Sequence, residues 1–429
     1  MSEALKLATS STDPVDPQIL SSPDSSAASS PKPKRRKTSR INRHAIPVPS
    51  GEEFGVKAPL DSLQAPVKPE YLISDNGIRD VKPYFFVYHA WCKRRWVDRP
   101  LLDVLNEELH PRSPVQFDRS LKLGRLKVNG KIPNADHVCK DNDFIQHVIH
   151  RHEAPVLDKP IQILASTDDV LVINKPSSIP VHSCGRYRHN TVLSLLKWEY
   201  NIEGIKTVHR LDRLTSGVLI FAKSAKSSKR FEQSLKKHEI RKQYVCRVEG
   251  EFPAGEITCN EPIGQLDFKM GLHGVGLDTF SPKSASTRFQ RLSYNGQTSV
   301  VKCYPQTGRT HQIRIHLQFL GHPIVNDALY NSKAFGPDKG KNGHYGKSKE
   351  ELVADLWKEH NAQLYWLNEE NHSIIDKVSR RPLPGPENGQ PLISATSSEF
   401  DPYCYECEMK FVQPTVAELQ MYLHCLQYE

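Results

Sequence analysis

The chain has 429 residues, enough for two to three domains, with 38% hydrophobic residues, 25% charged residues and a formal net charge of +9. No run approaches the roughly 18 apolar residues needed to span a bilayer, so a membrane-spanning protein is not expected. The basic balance is compatible with an RNA partner without requiring one. The nine cysteines are scattered, and only Cys404 and Cys407 are closely spaced. No apolar signal segment opens the chain, so free thiols in a reducing compartment are expected, in the nucleus and/or cytoplasm and not secreted.

Residues 1–58 are rich in Ser, Pro and Lys and poor in large apolar residues, and are expected to be a disordered basic tail. Within them PKPKRRK, residues 31–37, is a candidate nuclear signal or electrostatic RNA arm. Structure is expected to begin near Pro83, where a β-prone apolar run, residues 84–88, follows. Trp91 and Trp96 flank Lys93, Arg94 and Arg95; such aromatics either stack on bases or form a small core beneath snorkelling cations. Leu101, Leu102, Val104 and Leu105 make a helical stripe, and a second helix over 115–123 is ended by Gly124. Residues 125–131 alternate and end on Asn129-Gly130, a hairpin signal. Arg112, Arg119, Lys122, Arg125 and Lys127 could face RNA here; a surface balanced for solubility is the alternative.

Two strand-like runs, residues 161–164 and 170–173, precede NKPSSIPVH, residues 174–182, and a helix over 191–200. Next comes VHRLDRLTSGVLIFAKS, residues 208–224. His209, Arg210, Asp212, Arg213 and Thr215 form a dense polar cluster before Gly217 and an apolar run that reads as a buried strand. Asp212 thus sits between two arginines in a loop entering that strand. Close cations favour the ionised carboxylate, which suits a nucleophile or oxocarbenium stabiliser better than a general acid. A structural ion pair at a strand entrance is the alternative. Ser224 is placed to cap a helix running to about residue 237, with a basic face of Lys226, Lys229, Arg230, Lys236 and Lys237. RKQYVCRVEG, residues 241–250, reads as a strand, with Tyr244 two residues after Lys242. Asn295-Gly296 marks another hairpin. In TGRTHQIRIHLQFLGHPIVND, residues 307–327, Ile313, Leu317 and Leu320 line one helical face among Arg309, Gln312, Arg314 and His316.

Beyond residue 333 the pattern thins to a Gly/Lys-rich loop, a polar helix over 349–363, and a Pro/Gly/Ser-rich stretch over 380–400. Cys404-x-x-Cys407, followed by His424 and Cys425, has partial zinc-ligand character. Only one paired knuckle is present and adjacent His424 and Cys425 suit one ion poorly, so no metal is assigned.

Between residues 174 and 327, NKPSSIPVH, HRLD followed by TSG, Lys-x-Tyr and the TGRTHQIRIHLQFLGHPIVND run resemble, in order, the motifs of the RluA family of pseudouridine synthases. Ser178 stands where that family usually has Gly. The region before them, with GRLKVNGK, resembles the S4 RNA-binding domain. The resemblance implies an α/β (α+β) protein. Its parts are an S4-like RNA-binding domain over 83–155, a catalytic domain with a mixed, mostly antiparallel sheet over 156–335, and a partly disordered C-terminal extension over 336–429. It implies a monomeric isomerase that converts uridine to pseudouridine in RNA without cofactor or metal. tRNA, at the anticodon loop, is the foremost substrate and mRNA the second. It also implies Asp212 as the catalytic carboxylate, Arg314 as its partner, Tyr244 stacking on the uracil, and Arg210 filling the place of the flipped nucleotide. His209, Arg213, Lys175, Arg309, Arg125 and Lys127 are expected to serve RNA binding. Whether Asp212 attacks C1′ or removes the C2′ proton stays open. A hydrolytic N-glycosidase and a non-catalytic RNA-binding protein are the rivals. A zinc deaminase would need His-x-Glu upstream of the CxxC, a pattern this chain lacks.

Overall fold

The computed structural model describes residues 68–109, 113–237, 239–268, 270–363, 369–386, 399–411 and 413–429. The expected tail 1–58, its basic segment 31–37 and Arg112 lie outside the described residues.

Regular structure starts before Pro83. β1 (Tyr71–Ile73) and β2 (Ile78–Val81) form an antiparallel hairpin anchored by the buried Ile78. β3 (Tyr84–Trp91), β4 (Leu126–Val128) and β5 (Phe144–Arg151) make a second sheet with β5 in the middle. Helices Leu101–Leu109 and Gln116–Lys122 complete this module, sharing one core through Val104, Leu105, Phe117, Leu121 and Leu126. Trp96 belongs to that core with the Lys93 ammonium 4.5 Å from its ring centroid, whereas Trp91 is nearly half exposed. Asn129 and Gly130 take the positive φ of a tight turn, but β4 pairs with β5 and only a single bridge joins Val128 to Lys131. β6 (Val156–Leu157) returns to pair with β2.

The main sheet begins with β7 (Gln162–Ser166) and β8 (Val170–Lys175). It gains β9 (Lys206–Thr207), β10 (Ser216–Ala222), β11 (Lys242–Glu249) and β12 (Glu256–Cys259). β13 (Ile263–Asp267), β14 (Leu272–Gly274) and β15 (Phe280–Lys283) form a small separate sheet. β16 (Thr287–Tyr294) and β17 (Thr298–Pro305) are the hairpin closed by Asn295-Gly296. β18 (Leu423–Tyr428) completes the sheet in the order β12-β16-β17-β11-β18-β10-β8-β7, with β9 beside β10. Every pair is antiparallel except β10–β18, so the sheet is mixed and mostly antiparallel, as expected.

The boundary expected at residue 335 needs correction. β18, from the chain's last residues, lies between β10 and β11 in the middle of the catalytic sheet. Its close approach explains Gly217: a Cβ there would lie 2.1 Å from the Cys425 carbonyl oxygen, and Gly217 has φ +112°. Alternate residues of the strands, among them Ile173, Leu219, Phe221, Val248 and Val301, point into one core. Val192, Leu195 and Leu196 of helix Val192–Tyr200 and Leu317 of helix Gln312–Phe319 join it. Each such fully buried side chain stabilises the fold by about 1.5–3 kcal/mol.

Candidate active site

Loop and strand are joined by a buried anchor. Leu211 is 5% exposed in the core, and the Thr215 N–H donates to the Asp212 carbonyl at 3.1 Å, closing a turn just before β10. Asp212 opens into a cavity of about 410 Å³. His209, Arg210, Lys242, Tyr244, Arg309, His311, Arg314 and Tyr428 also line it. A larger open depression of about 830 Å³, lined by Asn174, Ser216, Arg247 and His424 among others, holds no carboxylate.

Helix Gln312–Phe319 delivers Arg314. The helix is buried along nearly its whole length, so its polar residues are held by hydrogen bonds. Gln312 accepts from Thr307 Oγ1 at 2.7 Å and the Arg309 N–H at 2.9 Å, and donates to the Ser286 carbonyl and Thr287 Oγ1 at 2.9 Å each. His316 bridges Thr287 Oγ1 and the Glu261 carbonyl. These bonds fix the loop and helix. Arg314 presents Nε and Nη2 to Asp327 at 2.6 and 2.8 Å and turns Nη1 toward Asp212 Oδ2 at 3.5 Å. Asp327 is fully buried and also accepts the Leu329 and Tyr330 N–H groups at 3.0 Å each. The Tyr330 ring packs 4.8 Å from the guanidinium. One carboxylate thus clamps the arginine while the second, Asp212, keeps an edge open to the cavity.

Burial opposes ionisation of Asp212, yet His311, Arg314 and Arg210 together hold its pKa below the usual carboxylate value. His311 Nε2 lies 3.8 Å from Asp212 Oδ2 and its Nδ1 meets Tyr330 Oη at 2.9 Å. Burial and the Arg314 charge push His311 down to about 4, so its ring is neutral at pH 7. The permanent cations acting on Asp212 at neutral pH are therefore Arg314 and Arg210. Burial penalises the Arg314 charge, but Asp327 and Asp212 keep it protonated.

Across the cavity, the Tyr244 and Tyr428 hydroxyls are 3.4 Å apart. Tyr428 Oη is 3.0 Å from His209 Nδ1, and His209 Nε2 accepts the Ile220 N–H at 3.2 Å. That second bond makes Nδ1 the protonated nitrogen, which donates to Tyr428. Burial and Lys242 push His209 down to about 3, so it stays neutral. Burial and Tyr428 raise the Tyr244 phenol well above its usual value, so it stays protonated.

The expected RNA-binding residues divide. Arg210 is exposed at the rim, and Arg309 lines the cavity with Nε donating to the Ser284 carbonyl at 2.9 Å. Arg213 lies outside the lining, its guanidinium 5.7 Å from the Tyr187 ring. Three residues need correction because they are interior. Lys175 is fully buried, and Nζ donates to the carbonyls of Pro176, Ile179 and Arg213 at 2.8, 2.8 and 3.1 Å. Its three donors tie the 174–179 loop to the Asp212 loop. Arg125 is buried in a bidentate pair with Asp401 at 2.6 and 2.9 Å. Lys127 is 4% exposed. Arg119 is likewise buried, donating to the Ser379 and Arg381 carbonyls. The C-terminal segment thus occupies the side of Arg119 and Arg125 that was expected to face RNA. On helix Ala225–Lys236, Lys226, Lys229 and Arg230 are exposed, as is Lys237 beyond it, and Arg230 reaches Asp169 at 3.4 Å. The Lys236 side chain lies outside the described residues.

Ser178 takes the left-handed backbone a glycine would favour, φ +71°, and its hydroxyl accepts the Leu157 N–H at 2.7 Å. That bond offsets strain of about 1–3 kcal/mol. Sequence reasoning missed Asp327, His311 and Tyr428. The first two stand inside the 307–327 motif; Tyr428 carried only the signal of a β-prone run near the chain's end. Among the described residues, the group with metal-ligand spacing lies outside the cavity and comprises His150, His152, Cys404 and Cys407. His424 instead bonds Ser216 Oγ at 2.9 Å and Cys425 is buried in the sheet.

Residues 169–319 match the family model described as RNA pseudouridylate synthase. The Homo sapiens pseudouridylate synthase RPUSD2 is 40% identical, over 94% of this chain and 80% of that protein. The Saccharomyces cerevisiae tRNA pseudouridine(32) synthase, mitochondrial, is 42% identical, over 64% of this chain and 60% of that protein. The tRNA pseudouridine(31) synthase of the same yeast is 31% identical, over 83% of this chain and 92% of that protein. The chain therefore belongs to the RNA pseudouridylate synthase family, in its RluA-type branch.

Proposed function

We propose that this isomerase acts on tRNA, at a uridine of the anticodon loop, with Asp212 as its catalytic carboxylate. The observation that carries the reading is the asymmetric clamp, in which Asp327 takes two edges of Arg314 and leaves the third for Asp212. Isomerisation breaks the bond from N1 to C1′, turns the uracil, and joins C5 to C1′. The C5 proton leaves and N1 gains one. An ionised Asp212 serves either opening step, attack on C1′ or removal of the C2′ proton. Arg314 keeps it charged and aimed without donating a proton to it. Tyr244, neutral at pH 7, supplies a ring for the uracil rather than a base, and the buried Leu423 beside it helps exclude water. Exposed Arg210 at the rim suits the gap left by a nucleotide turned out of its stack, a move costing a few kcal/mol.

The yeast relatives named for tRNA positions 31 and 32 support tRNA over mRNA. We further propose that residues 83–155 act as an S4-like module. Arg119, Arg125 and Lys127 are covered, so its RNA contacts would come from exposed residues such as Trp91 and Arg94. The test is to incubate the protein with unmodified total tRNA and, separately, mRNA, and to map pseudouridine at single-nucleotide resolution. New pseudouridine in the anticodon stem-loop is expected. Modification confined to mRNA would replace the tRNA reading, and RNA binding with no isomerisation would favour the non-catalytic rival.

A further inference from the structure

We propose that His150, His152, Cys404 and Cys407 form a structural zinc site that fastens the C-terminal segment to the first module. His150 lies near the end of β5 and His152 just beyond it; Cys404 and Cys407 lie at the start and within the short helix Tyr405–Glu408. Two segments far apart in sequence thus converge on one point. Cys407 Sγ is 3.2 Å from His150 Nδ1 and 3.4 Å from His152 Nε2. Cys404 Sγ is 3.6 Å from His152 Nε2, and the two ring nitrogens are 3.2 Å apart. A tetrahedral zinc with bonds of about 2.3 Å to sulfur and 2.0–2.1 Å to nitrogen sets neighbouring S and N about 3.6 Å apart, and two N about 3.3 Å apart. Those four separations lie close to the matching edges of that tetrahedron, and all four atoms lie within 4.8 Å of one another.

The donor set selects the metal. Two imidazoles and two thiolates with no carboxylate suit zinc and not magnesium or calcium. Zinc would displace both thiol protons, and four protein ligands leave no open position, so the role is structural. The surroundings fit a metal-held knuckle. The Asp401 N–H donates to Cys407 Sγ at 3.3 Å. The His150 ring packs 4.8 Å from Phe85, and Arg186 joins the His152 carbonyl to Glu406. Asp401 is the residue that takes Arg125 bidentately, so the knuckle and the ion pair clamp the same stretch. Farther along, the chain reaches β18 and places Tyr428 in the active cavity.

The full chain, free of any metal-affinity tag, is purified from zinc-supplemented culture and its zinc measured by mass spectrometry. One zinc per chain is expected, lost in Cys407→Ser and His152→Ala but retained in Cys184→Ser and His424→Ala, which change residues outside the site. Wild-type protein refilled with cobalt provides a readout that needs no variant to fold. The visible bands of a tetrahedral ion with thiolate-to-cobalt charge transfer are expected. Wild-type protein without zinc, full zinc retention in both ligand variants, or a cobalt spectrum lacking thiolate charge transfer would each overturn the proposal.

Discussion

Changing Asp327 to Asn tests how Arg314 is held beside Asp212. The substitution keeps the size of the side chain and an oxygen for the Leu329 and Tyr330 N–H groups, but removes the charge and sets an NH₂ against a guanidinium donor. Breaking a buried ion pair from one side costs about 3–5 kcal/mol. The retained acceptor puts this variant near the lower end, about 3 kcal/mol. In a chain of this size that lowers Tm by on the order of 3–4 °C. The freed guanidinium should swing toward Asp212, 3.5 Å away. A misplacement of about 1 Å costs on the order of 100-fold in rate. Thermal unfolding and single-turnover isomerisation read the two effects separately. Adding Arg314→Gln to Asp327→Asn removes both charges and should recover stability without recovering activity. A single variant with wild-type Tm and rate would refute the clamp.

Gly217→Ala should be among the most damaging small changes in the chain. Its Cβ would meet the β18 backbone at 2.1 Å, so strand and methyl cannot both stay. We expect a loss above about 3 kcal/mol and protease sensitivity of the C-terminal strand, against mild effects of Gly→Ala at Gly385, where an added Cβ meets nothing within 4 Å. Stability should also fall from pH 7 toward pH 5. Burial pushes the buried His147 down to about 4, and burial with Arg314 does the same to His311. An unfolded histidine titrates near about 6.5. The unfolded chain therefore binds protons first as pH falls. The stabilisation is complete above about pH 6.5 and is lost toward pH 4, by up to about 1.4 kcal/mol per pH unit for each histidine. Urea midpoints across that range should show a shallower slope for His147→Gln; an unchanged slope would count against the assignment.

What the sequence made legible was local. The HRLD loop, the strand after it, the Ser224 cap and the helix carrying Arg314 could be read from spacing and turn chemistry, because neighbours in sequence decide them. What escaped was pairing across distance. Nothing near Leu423 says that β18 will enter between β10 and β11, and nothing near Cys404 points to His150 and His152. A His-x-His at a strand end together with an unpaired CxxC was the available hint. The buried cations Lys175, Arg125 and Lys127 were misplaced for the same reason. A lysine in a loop reads as solvent-facing until its three carbonyl partners are known, and an arginine reads as RNA-facing until Asp401 arrives from the far end of the chain.

The central claim is that one carboxylate, Asp212, performs the chemistry. RNA carrying tritium at C5 of uridine releases that tritium to water when pseudouridine forms. Wild-type protein and Asp212→Asn, matched for RNA binding and folding, should be compared under single-turnover conditions. Release by the wild type and none by the variant is predicted. Equal release by both would contradict the assignment of Asp212, and with it the chemical role given to its clamp.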